Sequence, residues 1–259
     1  MGLFKSSSNL YCKFFANRFC YKWNRWMLQS SVKALGVNNG GDNTGEYYLL
    51  KRLITSRKAP VLFDVGASVG GWSEMALKIN PQACIYAFEP GRKPFEILQK
   101  KLPSLKAFNV ACSNEAGEGV LYDRKDQPNF SHASLDYDVI DRLNKGVDQH
   151  PVQIVTLDEI IRSAGVTKID LLKIDVEGFE YEVLQGAKEA LAQGVIENIQ
   201  FEFNEMNVVR RRFVRDFYQL LPDFALFRLL PRSQIPLRRY DPILHEFFTY
   251  QNLLATRLP

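Results

Sequence analysis

Short apolar runs alternate along the chain with stretches whose apolar residues recur at helical spacing. From residue 44 onward this pattern reads helix, strand, helix, strand, helix, strand, with expected bounds at 44–56, 60–65, 72–79, 84–89, 92–102 and 105–111. Strands and helices that alternate in this way fold as a parallel sheet with right-handed crossovers. The pattern therefore predicts an α/β fold.

A polar stretch at residues 123–151 interrupts this alternation. Short strands are expected on either side of it, at 117–122 and 152–155. An irregular connection of this length inside a compact domain is typical of a lid or binding loop, so we predict a substrate loop here. A disordered insertion is the alternative.

The alternation resumes at a capping box formed by Thr156 and Glu159, which opens a helix that stops at Gly165. The next expected elements are a strand at 169–174, a helix at 179–192 and strands at 196–203, 224–227 and 247–254. Asp175 directly follows the first of these strands. Because ligands of open α/β sheets bind at the carboxyl ends of the strands, these ends should carry the site.

The strongest chemical pattern is a glycine turn between two acids that each follow a short apolar run. Asp64 precedes Gly66 and Gly70, and Glu89 follows Asp64 by 25 residues. Glycines let the backbone turn tightly and approach a ligand closely. A carboxylate at the end of the next strand is placed to accept both hydroxyls of a ribose. The ligand predicted for this turn therefore carries a ribose.

The residues of the turn narrow the choice of cofactor. Ser68 stands where a dinucleotide fingerprint requires its second glycine, which disfavours nicotinamide and flavin nucleotides. Trp72 stands where a P-loop carries its phosphate-binding lysine. An acid before the glycines suits a cofactor with an ammonium and a sulfonium group, which is the charge pattern of S-adenosylmethionine. A glycine turn with a purely structural role is the alternative.

Four segments, in this order and spacing, resemble the FkbM-type methyltransferase family. They read DVGASVG at 64–70, FEP at 88–90, TLDE at 156–159 and IDLLKIDVEGFE at 169–180. The resemblance runs from about residue 44 to residue 255, and Ser68 departs from the asparagine that is more common in the family. It implies a Rossmann-like class I methyltransferase fold, with a mostly parallel sheet, helices on both faces and an antiparallel terminal strand. The implied activity is S-adenosylmethionine-dependent O-methylation, often of sugars, with a glycan or glycolipid as acceptor.

The expected cofactor site lies on these segments and on the neighbouring strand ends. Asp64 and the backbone of the turn are expected to hold the amino-acid part of the cofactor, Glu89 the ribose and residues 109–111 the adenine edge. The full predicted set is Asp64, Gly66, Ala67, Ser68, Gly70, Glu89, Pro90, Asn109, Val110, Ala111 and Asp175.

Three residues are candidates for a catalytic role. Methyl transfer from a sulfonium is an in-line displacement, so the protein has to align the acceptor oxygen and remove its proton. Asp175 or Glu177 is expected to orient or deprotonate the acceptor, and His132 in the predicted substrate loop titrates in a suitable range. The alternatives are that Glu177 only complements the dipole of the following helix and that His132 is a solvated loop residue.

Composition limits the class of protein but does not indicate a particular reaction. The 259 residues are 46% hydrophobic and 24% charged, which suits one globular core. No apolar run approaches the roughly 20 residues that span a bilayer, and the start of the chain lacks the apolar core of a secretory signal. We therefore expect a cytoplasmic protein. The cysteines have no C-x-x-C spacing, so we expect no metal site; they are Cys12, Cys20, Cys84 and Cys112.

Positive charge is concentrated at the start of the chain. We predict an N-terminal extension at 1–43 and a methyltransferase domain at 44–259, and the extension has six basic residues before its first acid, Asp42. A helix at 10–27 would place Phe15, Trp23 and Trp26 on one face with basic residues beside them, which is typical of a helix at a membrane surface. A packing or dimerisation helix is the alternative, and the oligomeric state stays open.

A second basic cluster suggests a different substrate. It lies on an expected helix and consists of Arg210, Arg211, Arg212 and Arg215. RNA methylation is the alternative that it raises, but no aromatic and basic RNA-binding module accompanies it, so we expect no nucleic-acid partner. A cofactor-binding interaction module without turnover is the remaining alternative, suggested by Ser68 alone.

Overall fold

The computed structural model describes residues 2–126, 133–142 and 146–259, with side chains from Ser7 onward except at Asp42. The strands of these residues are β1 (Val61–Val65), β2 (Cys84–Phe88), β3 (Lys106–Phe108), β4 (Ala111–Cys112), β5 (Gly117–Arg124), β6 (Val147–Val155), β7 (Leu171–Ile174), β8 (Asn198–Phe203), β9 (Phe224–Leu230), β10 (Ser233–Pro236) and β11 (Gln251–Arg257).

The helices of the same residues include a short 3₁₀ helix at Gly41–Asn43. The α-helices are α1 (Gly2–Phe15), α2 (Tyr21–Ala34), α3 (Glu46–Ile54), α4 (Gly71–Ile79), α5 (Arg92–Lys101), α6 (Tyr137–Asp141), α7 (Leu157–Ser163), α8 (Glu180–Gln185), α9 (Lys188–Ala192), α10 (Glu205–Val209), α11 (Val214–Leu220) and α12 (Pro242–His245).

The main sheet has the strand order β10-β9-β11-β8-β7-β1-β2-β3. Its strands β3, β2, β1, β7 and β8 pair in parallel. The final strand β11 lies between β8 and β9 and is antiparallel to both, and β10 is antiparallel to β9 at the edge. The predicted fold class is thus confirmed, including the antiparallel terminal strand.

Helices cover both faces of this sheet, as predicted. One face packs residues such as Leu50 of α3 and Trp72 of α4 against Leu62 and Ile85 of the strands. The opposite face packs α7, α8, α9 and α11 against strand residues such as Phe63 and Phe201. Since successive strand residues point to opposite faces, the fully buried strands read as continuous apolar runs in the sequence.

A second, three-stranded sheet has the order β4-β6-β5. Part of the predicted substrate loop belongs to this sheet. Residues 117–124 of β5 pair antiparallel with residues 147–154 of β6, so both ends of the stretch at 123–151 are strand. Between them, α6 buries Val139 and Ile140. The sequence predicted only the last part of β6, at 152–155, because residues 147–151 are exposed or half-buried and give no apolar run.

Two predicted elements of the domain are divided in the structure. The strand at 105–111 splits into β3 and β4, which belong to different sheets. The helix at 179–192 splits into α8 and α9 at Gly186, where a Cβ would lie 2.1 Å from the Ser113 carbonyl oxygen. The Asp158 carboxylate accepts the Glu189 and Ala190 N–H groups at the start of α9, which fixes the new helix end.

The predicted single helix at 10–27 is also wrong. The chain turns between α1 and α2 because the side-chain oxygen of Asn17 accepts the N–H groups of Phe19 and Cys20, an arrangement that competes with helix continuation. After α2 the chain joins the main sheet: Val37 is buried and bridges to Gln251. The division of the chain at residue 43 stays a prediction.

Candidate active site

The turn after β1 is shaped by backbone conformation. Gly66, Ser68 and Gly70 all have positive φ, at 80°, 48° and 82°. The Gly66 N–H donates to the Phe88 carbonyl oxygen at 3.0 Å, and a Cβ on Gly66 would lie 1.8 Å from the Asp175 carbonyl oxygen. A glycine is therefore required here, because the turn touches the end of the neighbouring strand β7.

Glu89 closes the same turn from the end of β2. One carboxylate oxygen accepts the Ser68 N–H at 2.8 Å and the other accepts the Gly91 N–H at 2.7 Å. Burial raises the pKa of Glu89 to about 7, and these two backbone donors oppose that rise. Each oxygen retains acceptor capacity for a further donor from a ligand.

A buried lysine on β7 joins the two halves of the site. The Lys173 ammonium lies 3.3 Å from an Asp64 carboxylate oxygen, 3.3 Å from an Asp175 carboxylate oxygen, and donates to the Gly66 carbonyl oxygen at 3.1 Å. Burial lowers the pKa of Lys173, but the charges of Asp64, Asp175 and Glu46 outweigh it and leave the pKa above its ordinary value. Lys173 is therefore a fixed cation beneath the turn.

Asp64 lies apart from the cavity surface. Its side chain is fully buried, where it accepts the Ser73 hydroxyl at 2.6 Å and pairs with Lys173. The structure thus places Asp64 behind the turn and not at its open face. The sequence pattern could not separate these positions, because an acid at a strand end can face either way.

The turn after β7 is held by a buried side chain. Glu177 has a φ of 54° and is followed by Gly178 at 101°. The Glu180 carboxylate accepts the Val176 N–H at 3.0 Å and the Gly178 N–H at 3.1 Å, and the Asn207 amide donates to it at 2.5 Å. Burial raises the pKa of Glu180 to about 7.

A half-buried acid, Glu202, lies beside Glu177. The Asn204 amide donates to a Glu202 carboxyl oxygen at 2.6 Å and lies 3.4 Å from a Glu177 carboxylate oxygen. Burial, with the charges of Asp175 and Glu177, raises the pKa of Glu202 to about 10. A raised pKa favours the neutral form of Glu202, which limits the negative charge at this end of the site.

The two turns open into one cavity of about 440 Å³ at the carboxyl ends of the parallel strands. This volume lies in the range of small-molecule sites. The predicted residues that line it are Gly66, Ser68, Glu89, Pro90, Asn109, Val110, Ala111, Asp175 and Glu177. Asp64, Ala67 and Gly70 are not among the lining residues. His132 lies outside the described residues, and its role stays a prediction.

The cavity has a further wall, most of which lies in the stretch 123–151 that was predicted as a substrate loop. It comes from the small sheet and from residues 133–135, and consists of Leu121, Asp123, Ala133, Leu135, His150, Pro151 and Val152. Ser134 pairs through its backbone with Tyr122, and its hydroxyl donates to the Glu177 carbonyl oxygen at 3.0 Å. The small sheet and the second turn are therefore connected at the cavity.

The arginine cluster is arranged differently from its prediction. Arg210, Arg211 and Arg212 lie between α10 and α11 and not on a helix. Arg210 pairs with Asp136 and stacks 3.6 Å over the Phe179 ring, while Arg212 pairs with Glu182. Arg215 lies 3.9 Å from the Asp216 carboxylate, so three of the four arginines are engaged within the chain, which weakens the case for a phosphate-binding surface. In the described part of the chain no group of three or more His, Cys, Asp or Glu side chains is arranged to hold a metal ion.

Comparison with known proteins shows which proteins this chain resembles. The sequence profile of the methyltransferase FkbM domain matches residues 64–228. The chain is 25% identical over 186 residues to the 2-O-methyltransferase NoeI of Sinorhizobium fredii, covering 67% of this chain and 76% of that protein. It is 27% identical over 204 residues to the 31-O-demethyl-FK506 methyltransferase FkbM of Streptomyces tacrolimicus, covering 63% and 78%.

Two further proteins extend the comparison. The hexuronic acid methyltransferase AglP of Haloferax volcanii is 27% identical over 157 residues, covering 58% of this chain and 59% of that protein. Among solved structures, a TehB-like SAM-dependent methyltransferase from Corynebacterium glutamicum aligns with a TM-score of 0.42 at 12% identity, covering 92% of this chain and 98% of that one.

Proposed function

Because this chain belongs to the family of methyltransferases with an FkbM domain, we propose that it methylates a sugar hydroxyl of a glycan or glycolipid. The chain is an S-adenosylmethionine-dependent methyltransferase, as its family match indicates. The sugar acceptor is supported by relatives whose names specify a 2-O-methyltransferase and a hexuronic acid methyltransferase.

The residues around the cavity suit S-adenosylmethionine. This cofactor carries a ribose, an ammonium and a sulfonium, but no phosphate. Glu89 offers carboxylate oxygens that accept hydroxyl groups, and Asp175 offers a carboxylate to a cation. The turn at 66–70 brings backbone close to the cavity, and the lysine of the site, Lys173, is buried beneath it. The donor and acceptor set therefore fits this cofactor better than a nucleotide phosphate.

We assign the parts of the cofactor along the strand ends. Glu89 and Pro90 hold the ribose, while Asn109 and the two residues after it face the adenine edge. The backbone of Gly66 and Ser68, with Asp175, holds the amino-acid part. Ala67 and Gly70 shape the turn, and Asp64 acts indirectly by fixing Lys173.

When bound, S-adenosylmethionine supplies a methyl group on a positively charged sulfur, and the acceptor oxygen attacks the methyl carbon in line with the sulfur, which leaves. The protein's task is to hold the acceptor hydroxyl and to take its proton. Asp175 and Glu177 line the cavity at the end of β7, beside the turn that faces the cofactor. We propose that these two carboxylates bind the hydroxyl and that one of them accepts the proton.

The observation that carries this proposal is the meeting of the two turns at one cavity. To test it, purified protein is incubated with methyl-labelled S-adenosylmethionine and an extract of source cells, which is then separated into glycan and lipid, RNA and protein fractions. We expect label in the glycan and lipid fraction, in a form that glycosidase treatment releases as methylated sugar. Label confined to RNA or protein would overturn the carbohydrate acceptor.

A further inference from the structure

The N-terminal helices α1 and α2 and the turn between them leave the large apolar side chains of residues 10–28 uncovered. No residue of α2 is buried. The exposed fractions are 63% for Phe14, 84% for Phe19, 53% for Trp23, 58% for Trp26 and 63% for Leu28. A group of exposed aromatic side chains of this size on adjoining helices marks an interaction surface.

The same two helices and the turn between them carry charge of one sign. Lys13, Arg18, Lys22 and Arg25 are all exposed, and no acid occurs before Asp42. The Arg18 guanidinium lies 4.9 Å from the centre of the Phe19 ring, so cationic and aromatic groups share one surface. This combination is characteristic of helices that lie in the plane of a membrane interface.

The two helices hold each other in a defined arrangement. The Tyr11 hydroxyl donates to the Asn24 side-chain oxygen at 2.5 Å, and the Asn24 amide donates to the Phe15 carbonyl oxygen at 2.9 Å. Trp23 and Trp26 contact each other with ring centres 5.2 Å apart. The two hydrogen bonds connect α1 to α2, and the Trp23 and Trp26 rings stay exposed.

We propose that α1 and α2 bind reversibly to the surface of an anionic lipid bilayer. A second copy of the chain would bring the same unbalanced positive charge against this surface, and like charges repel at short range. Anionic lipid instead complements the basic residues while the bilayer interface takes up the aromatic rings. None of the helices in the described ranges combines the length and apolar composition needed to cross a bilayer, so the contact is a peripheral one.

This inference stands independently of the acceptor and is tested by binding alone. The full-length protein is sedimented with vesicles of phosphatidylcholine and with vesicles of an equal mixture of phosphatidylcholine and phosphatidylglycerol. We expect binding to the mixed vesicles that weakens with added salt, because the attraction of exposed charges is screened.

Variants separate the contribution of the basic side chains to membrane binding from that of the aromatic side chains. Since a basic side chain near an anionic surface is worth about fivefold in affinity, reversing three charges in Arg18→Glu/Lys22→Glu/Arg25→Glu should weaken binding by at least about 100-fold. The matched control reverses three exposed arginines elsewhere, Arg232→Glu/Arg238→Glu/Arg239→Glu, and should retain most of the affinity.

The aromatic contribution is tested by Trp23→Ala/Trp26→Ala, which should weaken binding to the mixed vesicles by about tenfold or more. Its control, Ile243→Ala/Leu244→Ala, removes exposed apolar side chains of α12 and should have little effect. All of these side chains are exposed, and circular dichroism checks that each variant folds.

Three results would overturn the proposal. One is equal binding to both kinds of vesicle, and another is the absence of binding to either. The third is a self-associated form in the absence of lipid that Trp23→Ala/Trp26→Ala dissociates, which would assign the surface to a second copy.

Discussion

The turns after β1 and β7 face the same cavity but are held in shape by different means. The first turn has positive φ at three of its residues, and its N–H groups are accepted by Phe88 and Glu89. The second turn is organised by the buried carboxylate of Glu180. The proposed cofactor side of the site therefore depends mainly on backbone conformation, with support from Glu89 at its rim. The proposed acceptor side also has positive φ, at Glu177 and Gly178, but a buried side-chain network holds it.

This difference has a functional meaning within a family of methyltransferases. A backbone-defined turn suits a cofactor that is the same for every member. A turn held by side chains can be altered by substitution without disturbing the first turn, because the two are supported separately. Lys173 is the exception, since it contacts Gly66 and Asp175 together.

Replacing Lys173 should disrupt both turns and cause the largest loss of stability among these variants. Lys173→Met leaves the buried Asp64 carboxylate and its neighbour Asp175 without their cation, so we expect a loss of about 3–5 kcal/mol in the free energy of unfolding. Chemical denaturation measures it. As a control, Lys168→Met removes an exposed lysine that pairs with Glu197, and should cost less than about 1 kcal/mol. Equal losses in both variants would contradict this role of Lys173.

A change in the first turn should affect cofactor binding. Gly66→Ala places a Cβ against the Asp175 carbonyl oxygen at a φ that disfavours it, so we expect a loss of about 2–3 kcal/mol and no measurable binding of S-adenosylhomocysteine. Gly71→Ala is the control, since its Cβ meets nothing within 4 Å. Calorimetric titration compares the two, and tight binding by Gly66→Ala would show that the turn is adaptable.

A change in the second turn should spare the cofactor. Glu180→Gln loses part of the hydrogen bonding to the turn, so we expect a loss of about 1–3 kcal/mol in stability and lower turnover, with S-adenosylhomocysteine affinity nearly unchanged. The comparison between the turns fails if affinity falls as far as turnover does.

The same variant should change the pH dependence of stability. The folded-state pKa of Glu180 is raised from 4.5 to about 7, so its contribution to stability is greatest below pH 4.5 and is lost as the pH rises to about 7. The free energy of unfolding of Glu180→Gln should therefore fall less steeply between pH 4.5 and pH 7 than that of the unsubstituted protein. Chemical denaturation at a series of pH values measures this slope.

The smallest expected effect concerns Glu89 and its pKa of about 7. An ionised carboxylate accepts both ribose hydroxyls, whereas a protonated one has lost an acceptor position. S-adenosylhomocysteine should then bind about tenfold more tightly at pH 8 than at pH 6. Glu89→Gln should bind weakly at both values, and a flat profile for the unsubstituted protein would argue against this assignment.

The sequence predicted the cofactor side of the cavity better than its other walls. Gly66, Glu89 and Asn109 were found because the carboxyl ends of parallel strands share one edge, and each of these residues follows an apolar run. The strands of the hairpin of β5 and β6 were predicted only in part, at 117–122 and 152–155, because the residues that extend them are polar or partly exposed. The burial of Asp64 on Lys173 could not be predicted, since it depends on which way two side chains point from neighbouring strands.

The break between α1 and α2 was missed for a different reason. The apolar and basic residues of 10–27 are compatible with one helix, and the turn depends on hydrogen bonds from the Asn17 side chain. The spacing of apolar residues carries no information about side-chain hydrogen bonds that compete with the helix.

The most direct test of the central claim compares Asp175→Asn and Glu177→Gln for binding and for turnover. Calorimetry measures S-adenosylhomocysteine affinity, and transfer of labelled methyl groups to the glycan fraction measures the reaction. We expect at least one variant to lose at least about 100-fold in transfer while its affinity for S-adenosylhomocysteine changes by less than about tenfold. Unchanged transfer in both variants would contradict the placement of the acceptor between the two turns.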